Sequence, residues 1–245
     1  MADVEEREYL PAMGRQALTP LYDPLTRLLG VRDAHWRLVA QAGIEPGATV
    51  LEIGCGTGNV LLLAAHAVPG ATLIGLDPDP AVLAAAGRKA RRAGVTLRLD
   101  HGYADRLPYP DASVDRVLSS FMLHHLPKDQ QREALREVHR VLAPGGRLHL
   151  LDLDGSAPSR AGRLLRVAHV HRDEPHGHQH GQGHGKGHGK GHGKGHGHGD
   201  RPGPHAHADP DTALAALREA GLTEAAVVAH GAMPMGGYSY YRATR

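Results

Sequence analysis

A glycine-rich turn, Gly54-Cys55-Gly56-Thr57-Gly58, follows a short apolar run and precedes a helical pattern, and it constrains the fold more than any other feature of the chain. Glycine residues permit a tight turn, and they let a ligand approach the backbone where a Cβ would block it. Asp77 ends the next apolar run, at the usual distance for a carboxylate that receives two ribose hydroxyls. The combination predicts an α/β fold that binds a ligand containing a nucleoside.

The spacing of the glycines narrows the choice of ligand. A dinucleotide-binding loop has its third glycine one position later, where this chain has Asn59. A phosphate-binding loop has Lys followed by Ser or Thr, and that pair is absent from the turn. The closer spacing of Gly54, Gly56 and Gly58 suits a ligand with an adenosine but no pyrophosphate, and S-adenosyl-L-methionine fits that description.

Short apolar runs alternate with helical patterns along most of the chain. Strands are predicted at residues 48–53, 71–76, 95–99, 114–119, 146–152, 225–230 and 238–244. Helices are predicted at residues 21–42, 57–67, 80–92, 128–142 and 211–220. Asp209 or Asp211 is the candidate cap of the last helix, and Trp36 in the first is expected to lie in the core. This order predicts an α/β, doubly wound, mostly parallel seven-stranded sheet with helices on both faces.

Several motifs occur in the order and spacing of one known family. The run 50–58 resembles its first motif, and the run 107–115 resembles the stretch before its fourth strand. The run 121–126, Phe-Met-Leu-His-His-Leu, resembles the segment just after that strand, and the run 142–148 resembles the turn into its fifth. From about Tyr22 to Leu150 the chain therefore resembles the class I S-adenosylmethionine-dependent methyltransferases, which have a Rossmann-like fold. The likeness is greatest to the ubiquinone/menaquinone-biosynthesis-like group of small-molecule enzymes.

The resemblance implies roles for individual residues. Glu52 would hold the glycine loop through hydrogen bonds, Asp77 would receive the ribose hydroxyls, and Pro78 would lie beside the adenine. Where the family has Gly-Asp-Ala at the adenine contact, this chain has Gly102-Tyr103-Ala104, so the backbone N–H of Ala104 and the side chain of Asp105 are the candidates for that contact. The predicted cofactor-binding residues are Glu52, Gly54, Gly56, Gly58, Asp77, Pro78, Tyr103, Ala104, Asp105 and Phe121.

His124 and His125 are the candidate catalytic residues. They follow the fourth predicted strand, at the carboxyl edge of the sheet, where a base or a hydrogen-bond donor can reach the methyl acceptor. Methyl transfer needs no dedicated base when the nucleophile is already electron-rich, because alignment supplies most of the acceleration. Cys55 is predicted to be a small filler. Tyr22 and Asp23 resemble the start of the family's lid, so a helical lid is predicted within residues 1–45, with a surface turn as the alternative.

Residues 169–208 form a low-complexity segment dominated by histidine and glycine. It has almost no apolar surface to offset its ordering entropy, so a disordered insertion within a single domain of residues 1–245 is predicted. Neutral imidazole binds nickel and zinc, and the candidate metal ligands are His176, His178, His180, His184, His188, His192, His196 and His198. A tolerated repeat expansion is the alternative interpretation, since loop closure costs little extra with length.

Charge and composition exclude several partners. The net charge of +2 and the absence of a basic stripe with aromatics argue against nucleic acid, and a single cysteine excludes an internal disulfide. No apolar run reaches membrane-spanning length, and the acidic start (Met1 to Glu8) lacks a signal pattern, so a cytoplasmic enzyme is expected. The predicted function is methyl transfer from S-adenosyl-L-methionine to a small-molecule acceptor. The alternative is a metal-binding regulatory or storage protein on the same fold, and the oligomeric state is not predicted.

Overall fold

A computed structural model describes residues 30–156, 209–234 and 236–245. Within these ranges helices and strands alternate for most of the chain, and two strands follow the last helix. The elements are α1 (Val31–Ala42), β1 (Thr49–Ile53), α2 (Asn59–Ala67), β2 (Thr72–Asp77), α3 (Pro80–Ala93), β3 (Arg98–His101), β4 (Val114–Ser120), α4 (Lys128–Val141), β5 (Leu142–Leu153), α5 (Pro210–Glu219), β6 (Thr223–Met233) and β7 (Gly236–Thr244).

The strands form one seven-stranded sheet in the order β3-β2-β1-β4-β5-β7-β6. Strands β1 to β5 pair in parallel, whereas β7 runs antiparallel to both β5 and β6. The predicted mostly parallel, doubly wound sheet is therefore confirmed. The chain order reverses between β1 and β4, and in such sheets a crevice for ligands opens beyond the carboxyl ends of the strands at that point.

A hydrophobic core lies on each face of the sheet. Because neighbouring side chains of a strand point to opposite faces, Val117 belongs to one core and Leu118 to the other. The first core packs α4 and α5 against the sheet, with Leu135 of α4 almost fully buried. The second packs α1 and α2, with Leu38 of α1 buried to the same degree. Both faces are thus covered, as an α/β sheet of this kind requires.

Two helices begin with the cap that the sequence favours. Asp79 precedes α3 and accepts a hydrogen bond from the Ala81 N–H at 2.7 Å. Asp209 precedes α5 and accepts from the N–H groups of Asp211 and Thr212, each at 3.1 Å. A proline follows each cap as the first helical residue, where its missing N–H costs nothing. Of the two candidate caps for the last helix, Asp209 is therefore the one used.

Three local predictions are wrong. The first helix is not continuous over residues 21–42, because Gly30 has φ +78° and α1 begins after it. The third strand begins at Arg98 rather than at Val95, because the Val95 N–H bonds to the Ala90 carbonyl and belongs to the end of α3. Trp36 is 41% exposed on α1 and lies outside the core.

Some predicted features lie outside the described ranges. These are Tyr22 and Asp23 of the predicted lid and the candidate metal ligands of the histidine segment, from His176 to His198. Within the ranges that are described, no helix is long and apolar enough to cross a membrane. Nor does any group of three or more His, Cys, Asp or Glu side chains in these ranges have an arrangement that would hold a metal ion.

Candidate cofactor and acceptor site

The glycine turn lies at the carboxyl edge of the sheet and is tied to the neighbouring strand. The N–H groups of Gly54 and Cys55 both donate to the Leu76 carbonyl of β2, at 2.8 and 3.0 Å. Gly54, Gly56 and Gly58 all have positive φ, a conformation that residues with a Cβ rarely adopt. The turn therefore folds back over the end of β2 and brings Gly56 next to Asp77.

Asp77 ends β2 and is 9% exposed. Its Oδ2 accepts a hydrogen bond from the Gly56 N–H at 2.8 Å, and its Oδ1 accepts one from the Asp79 N–H at 3.0 Å. Burial raises the pKa of this carboxyl, while the two N–H donors act in the opposite direction. A carboxylate oxygen accepts more than one hydrogen bond, so both oxygens retain capacity for hydroxyl donors of a ligand.

Glu52 lies on β1 directly below the turn and is 2% exposed. Burial raises its pKa well above the ordinary value, and the nearby Asp77 carboxylate adds to the rise. A backbone hydrogen bond from Leu61 of α2 opposes the shift. Among the described residues, Oε2 of Glu52 has no hydrogen-bond partner. Because buried polar atoms are rarely left unpaired, this oxygen indicates a missing donor beside the glycine turn.

The three glycines of the turn differ in what surrounds them. A Cβ on Gly56 would meet no atom within 4 Å, so this position leaves room for a ligand. A Cβ on Gly58 would come within 3.1 Å of the Ala86 Cβ on α3, so this glycine permits close packing of the helix. A Cβ on Gly54 would overlap the side chain of Met122, which follows β4.

Gly54→Ala is expected to destabilise the protein by about 2–4 kcal/mol, since the unfavourable φ of +67° adds to a clash that displaces Met122. Gly94→Ala is the matched control, because Gly94 has φ +66° but open space around the position of a Cβ. Urea denaturation of both variants separates the two costs. If Gly54→Ala loses no more free energy of unfolding than Gly94→Ala, the close approach of Met122 is unimportant.

Cys55 packs as a small buried residue in the turn. A Cβ on Gly75 of β2 would come within 2.8 Å of its Sγ, so thiol and strand are in close contact. Burial raises the pKa of the Cys55 thiol, and the carboxyl groups of Glu52 and Asp77 raise it further. The thiolate needed for nucleophilic chemistry is therefore disfavoured. These observations agree with the predicted role of Cys55 as a filler.

The residues proposed for the adenine contact lie beside Asp77. The Gly102 N–H donates to the Asp77 carbonyl at 3.2 Å, which joins the exits of β3 and β2. The imidazole Nε2 of His101 lies 3.0 Å from the Pro78 carbonyl oxygen. Tyr103, Ala104 and Asp105 follow as half-buried residues. The structure thus brings these predicted residues together on one side of the carboxyl edge.

His124 lies beyond β4 in a short 3₁₀ turn, Leu123–His125. Its Nδ1 contacts Oδ1 of Asp152, and its backbone N–H donates to Oδ2 of the same carboxylate at 3.0 Å. Asp152 stands near the end of β5 and is 6% exposed. The ring of His125 lies 4.0 Å from that of His124, centroid to centroid. Sequence reasoning missed Asp152, whose only signal was its place at the carboxyl end of a predicted strand.

Phe121 directly follows β4 and has a strained conformation with φ +50°. Its N–H donates to the Leu151 carbonyl at 2.8 Å, which holds the residue between β4 and β5. Its ring packs edge-to-face on Tyr238 of β7, with 5.8 Å between centroids, and lies 6.3 Å from the imidazole of His35. Tyr238 was not predicted as a site residue. Non-glycine residues with positive φ are concentrated at functional sites.

These features fit an adenosylmethionine ligand. Asp77 has capacity for two hydroxyl donors, Gly56 leaves open space beside it, and Oε2 of Glu52 lacks a donor among the described residues. When bound, this cofactor supplies a methyl group on a positively charged sulfur.

Comparison with known proteins agrees with the geometry. Residues 50–146 match a family model described as a methyltransferase domain. Over 153 residues the chain is 36% identical to the demethylmenaquinone methyltransferase of Thermus thermophilus, covering 61% of this chain and 69% of that one. Over 158 residues it is 35% identical to the enzyme of the same name from Deinococcus radiodurans, covering 63% of this chain and 65% of that one. The match thus spans about two thirds of each relative.

A solved structure shows the same fold. A SAM-dependent methyltransferase from Aquifex aeolicus superposes with a TM-score of 0.62 at 18% identity, covering 93% of this chain and 97% of that one. Fold, site and relatives agree, and the chain belongs to the class I S-adenosylmethionine-dependent methyltransferases. It is an enzyme that transfers a methyl group from S-adenosyl-L-methionine to a small-molecule acceptor.

Proposed function

We propose that the methyl acceptor is a reduced quinone, that is, a dihydroxylated aromatic ring of the demethylmenaquinone type. The observation that carries this proposal is the 36% identity over 153 residues to a demethylmenaquinone methyltransferase. Phe121 and Tyr238 support it, because half-buried aromatic rings near the carboxyl edge offer flat apolar surfaces to a planar ring.

In this proposal the chain binds the cofactor through the residues predicted from the sequence. Asp77 accepts the ribose hydroxyls, the turn at Gly54 and Gly56 lies along the methionine part, and Glu52 provides the acceptor for a donor group there. Pro78, Tyr103, Ala104 and Asp105 surround the adenine. Phe121 separates the cofactor from the acceptor. The main catalytic effect is alignment of an electron-rich ring with the methyl group in a partly desolvated site.

The test is transfer of labelled methyl from adenosylmethionine to a short-chain demethylmenaquinol kept under reducing conditions. We expect the reduced ring to be labelled and the oxidised quinone to stay unlabelled, because only the reduced ring is electron-rich. A wild-type protein that binds S-adenosylhomocysteine but does not label the quinol would contradict the acceptor class and leave the cofactor site intact.

Nickel or zinc binding by the histidine segment stays a prediction, as do the cytoplasmic location, the lid at residues 1–45 and the single-domain organisation. A chain that lacks residues 174–205 tests whether metal binding by the histidine segment is needed for catalysis. If methyl transfer by that chain persists without added metal, the segment is an accessory to the enzyme. The metal-binding alternative gains support if the shortened chain loses transfer and added metal restores transfer to the metal-stripped full chain but not to the shortened chain.

A further inference from the structure

The pair of His124 and Asp152 joins two strand ends that are far apart in the sequence. His124 follows β4, and Asp152 stands near the end of β5, the next strand in the sheet. Both side chains are about nine-tenths buried. The Leu153 N–H donates to Oδ1 of Asp152 at 2.9 Å, so the carboxylate is itself held in place. The site therefore contains an oriented imidazole–carboxylate pair.

The carboxylate makes two separate contacts with residue 124. The contact at Oδ2 involves the backbone N–H and is independent of the side chain at this position. The contact at Oδ1 involves Nδ1 and fixes both the ring orientation and the nitrogen that faces Asp152. A carboxylate on Nδ1 stabilises the protonated imidazole that forms when Nε2 accepts a proton. The backbone contact would hold the turn with any residue at position 124, whereas the Nδ1 contact acts on the imidazole itself.

We propose that His124 is a general base for methyl transfer, and that Asp152 is the positioning residue that orients its ring and balances its charge. The proposal rests on the methyltransferase activity and not on the identity of the acceptor. It implies an acceptor that loses a proton, such as a hydroxyl group or the ring carbon of a quinol. A thioether or a tertiary amine has no such proton.

The step conserves atoms and charge. The acceptor's bond to hydrogen breaks, and Nε2 of His124 takes the proton. For a hydroxyl acceptor, the pair left on oxygen forms the new bond to the methyl carbon. For a quinol, the pair left on the hydroxyl oxygen enriches the ring, a π pair of the ring carbon forms the new bond, and that carbon then loses its own proton to solvent while the oxygen regains one. In both cases the former bonding pair of the methyl carbon stays on sulfur. The imidazolium then lies against the Asp152 carboxylate until the proton passes to solvent.

The experiment compares His124→Gln, His124→Ala and Asp152→Asn, with His66→Gln on the exposed face of α2 as the control. The acceptor is whichever of a short-chain demethylmenaquinol, a catechol or an indole the wild type methylates. We expect kcat to fall about 100-fold or more in His124→Gln, about 10-fold or more in Asp152→Asn, and to be unchanged in the control. Imidazole added to His124→Ala is expected to restore part of the rate.

A second readout needs neither acceptor nor cofactor. In the wild type, the Nδ1 proton shared with Asp152 gives a downfield proton NMR signal, which should vanish in both His124→Gln and Asp152→Asn. If His124→Gln keeps its kcat, the pair only holds the turn and the proposal is overturned. If no downfield signal depends on both residues, the pair itself is absent in solution. A wild type that labels a catechol but not the quinol refutes the proposed acceptor alone.

Discussion

Asp77→Ala is expected to weaken binding of S-adenosylhomocysteine at least about 100-fold, because two hydrogen bonds to a charged carboxylate, worth about 1.5–3 kcal/mol each, are lost. The carboxylate also accepts the Gly56 N–H at 2.8 Å and the Asp79 N–H at 3.0 Å. Its removal therefore leaves two backbone donors unpaired and loosens the glycine turn. Both effects act on the same ligand, so the loss of affinity should exceed that from any other single site substitution.

Calorimetric titration of the purified, metal-stripped protein measures this effect. Asp129→Ala is the matched control, because this substitution removes the same charge at an exposed position in the first turn of α4. Circular dichroism must show that both variants are folded. Affinity within about threefold of the wild type in folded Asp77→Ala, less than about 0.7 kcal/mol, would refute the ribose-binding role of Asp77.

The arrangement of the sheet could be predicted because its central strands are buried on both faces. Strands such as β1 and β2 are short runs of apolar residues bounded by turns, and that pattern is visible in one sequence. Strand β3 lies at the edge, and its sequence Arg-Leu-Asp-His is mostly polar. Because Val95 and Leu97 just before it are apolar, the strand was predicted to begin three residues too early. An edge strand is positioned by its partner β2, through pairs such as Ile74 with Arg98.

The cofactor half of the site was predictable for a different reason. Gly54, Gly56 and Asp77 are local features, fixed by one turn and the end of the next strand. The acceptor half depends on long-range contacts. Asp152 meets His124 across 28 residues, and Tyr238 meets Phe121 across the β5–β7 pairing. No periodicity or spacing within a segment reports such contacts.

The burial of Glu52 and its effect on the pKa of that residue also could not be predicted from the sequence. The sequence places Glu52 below the glycine turn but does not reveal that it is 2% exposed. Burial and the nearby Asp77 carboxylate raise the pKa of Glu52, and the charge of Lys89 opposes the rise. The two carboxyl groups therefore repel each other at this edge. A ligand that brings positive charge to this edge would reduce that repulsion.

The second large effect is a loss of stability in acid, and it concerns His149, a buried residue within β5. His149 on β5 is 2% exposed, and burial together with Arg116, Arg147 and Arg242 lowers its pKa to about 4. In the unfolded chain a histidine has a pKa of about 6.5, so between these values the unfolded chain binds more protons. Stability is therefore full above about pH 6.5 and is lost as the pH falls toward about 4. From about pH 7.5 to about pH 5 the expected loss is about 2 kcal/mol.

His149→Gln removes the titrating group while keeping a polar side chain. Among the described residues Nε2 of His149 has no hydrogen-bond partner, so the substitution breaks no bond there. We expect the variant to lose about 2 kcal/mol less than the wild type between about pH 7.5 and about pH 5, as measured by urea denaturation. His66→Gln, at an exposed position, should follow the wild type. Other histidines titrate equally in both proteins, so their contributions cancel in the difference. Parallel curves for the wild type and His149→Gln would mean that His149 accepts a proton without unfolding, because its three arginine neighbours move away.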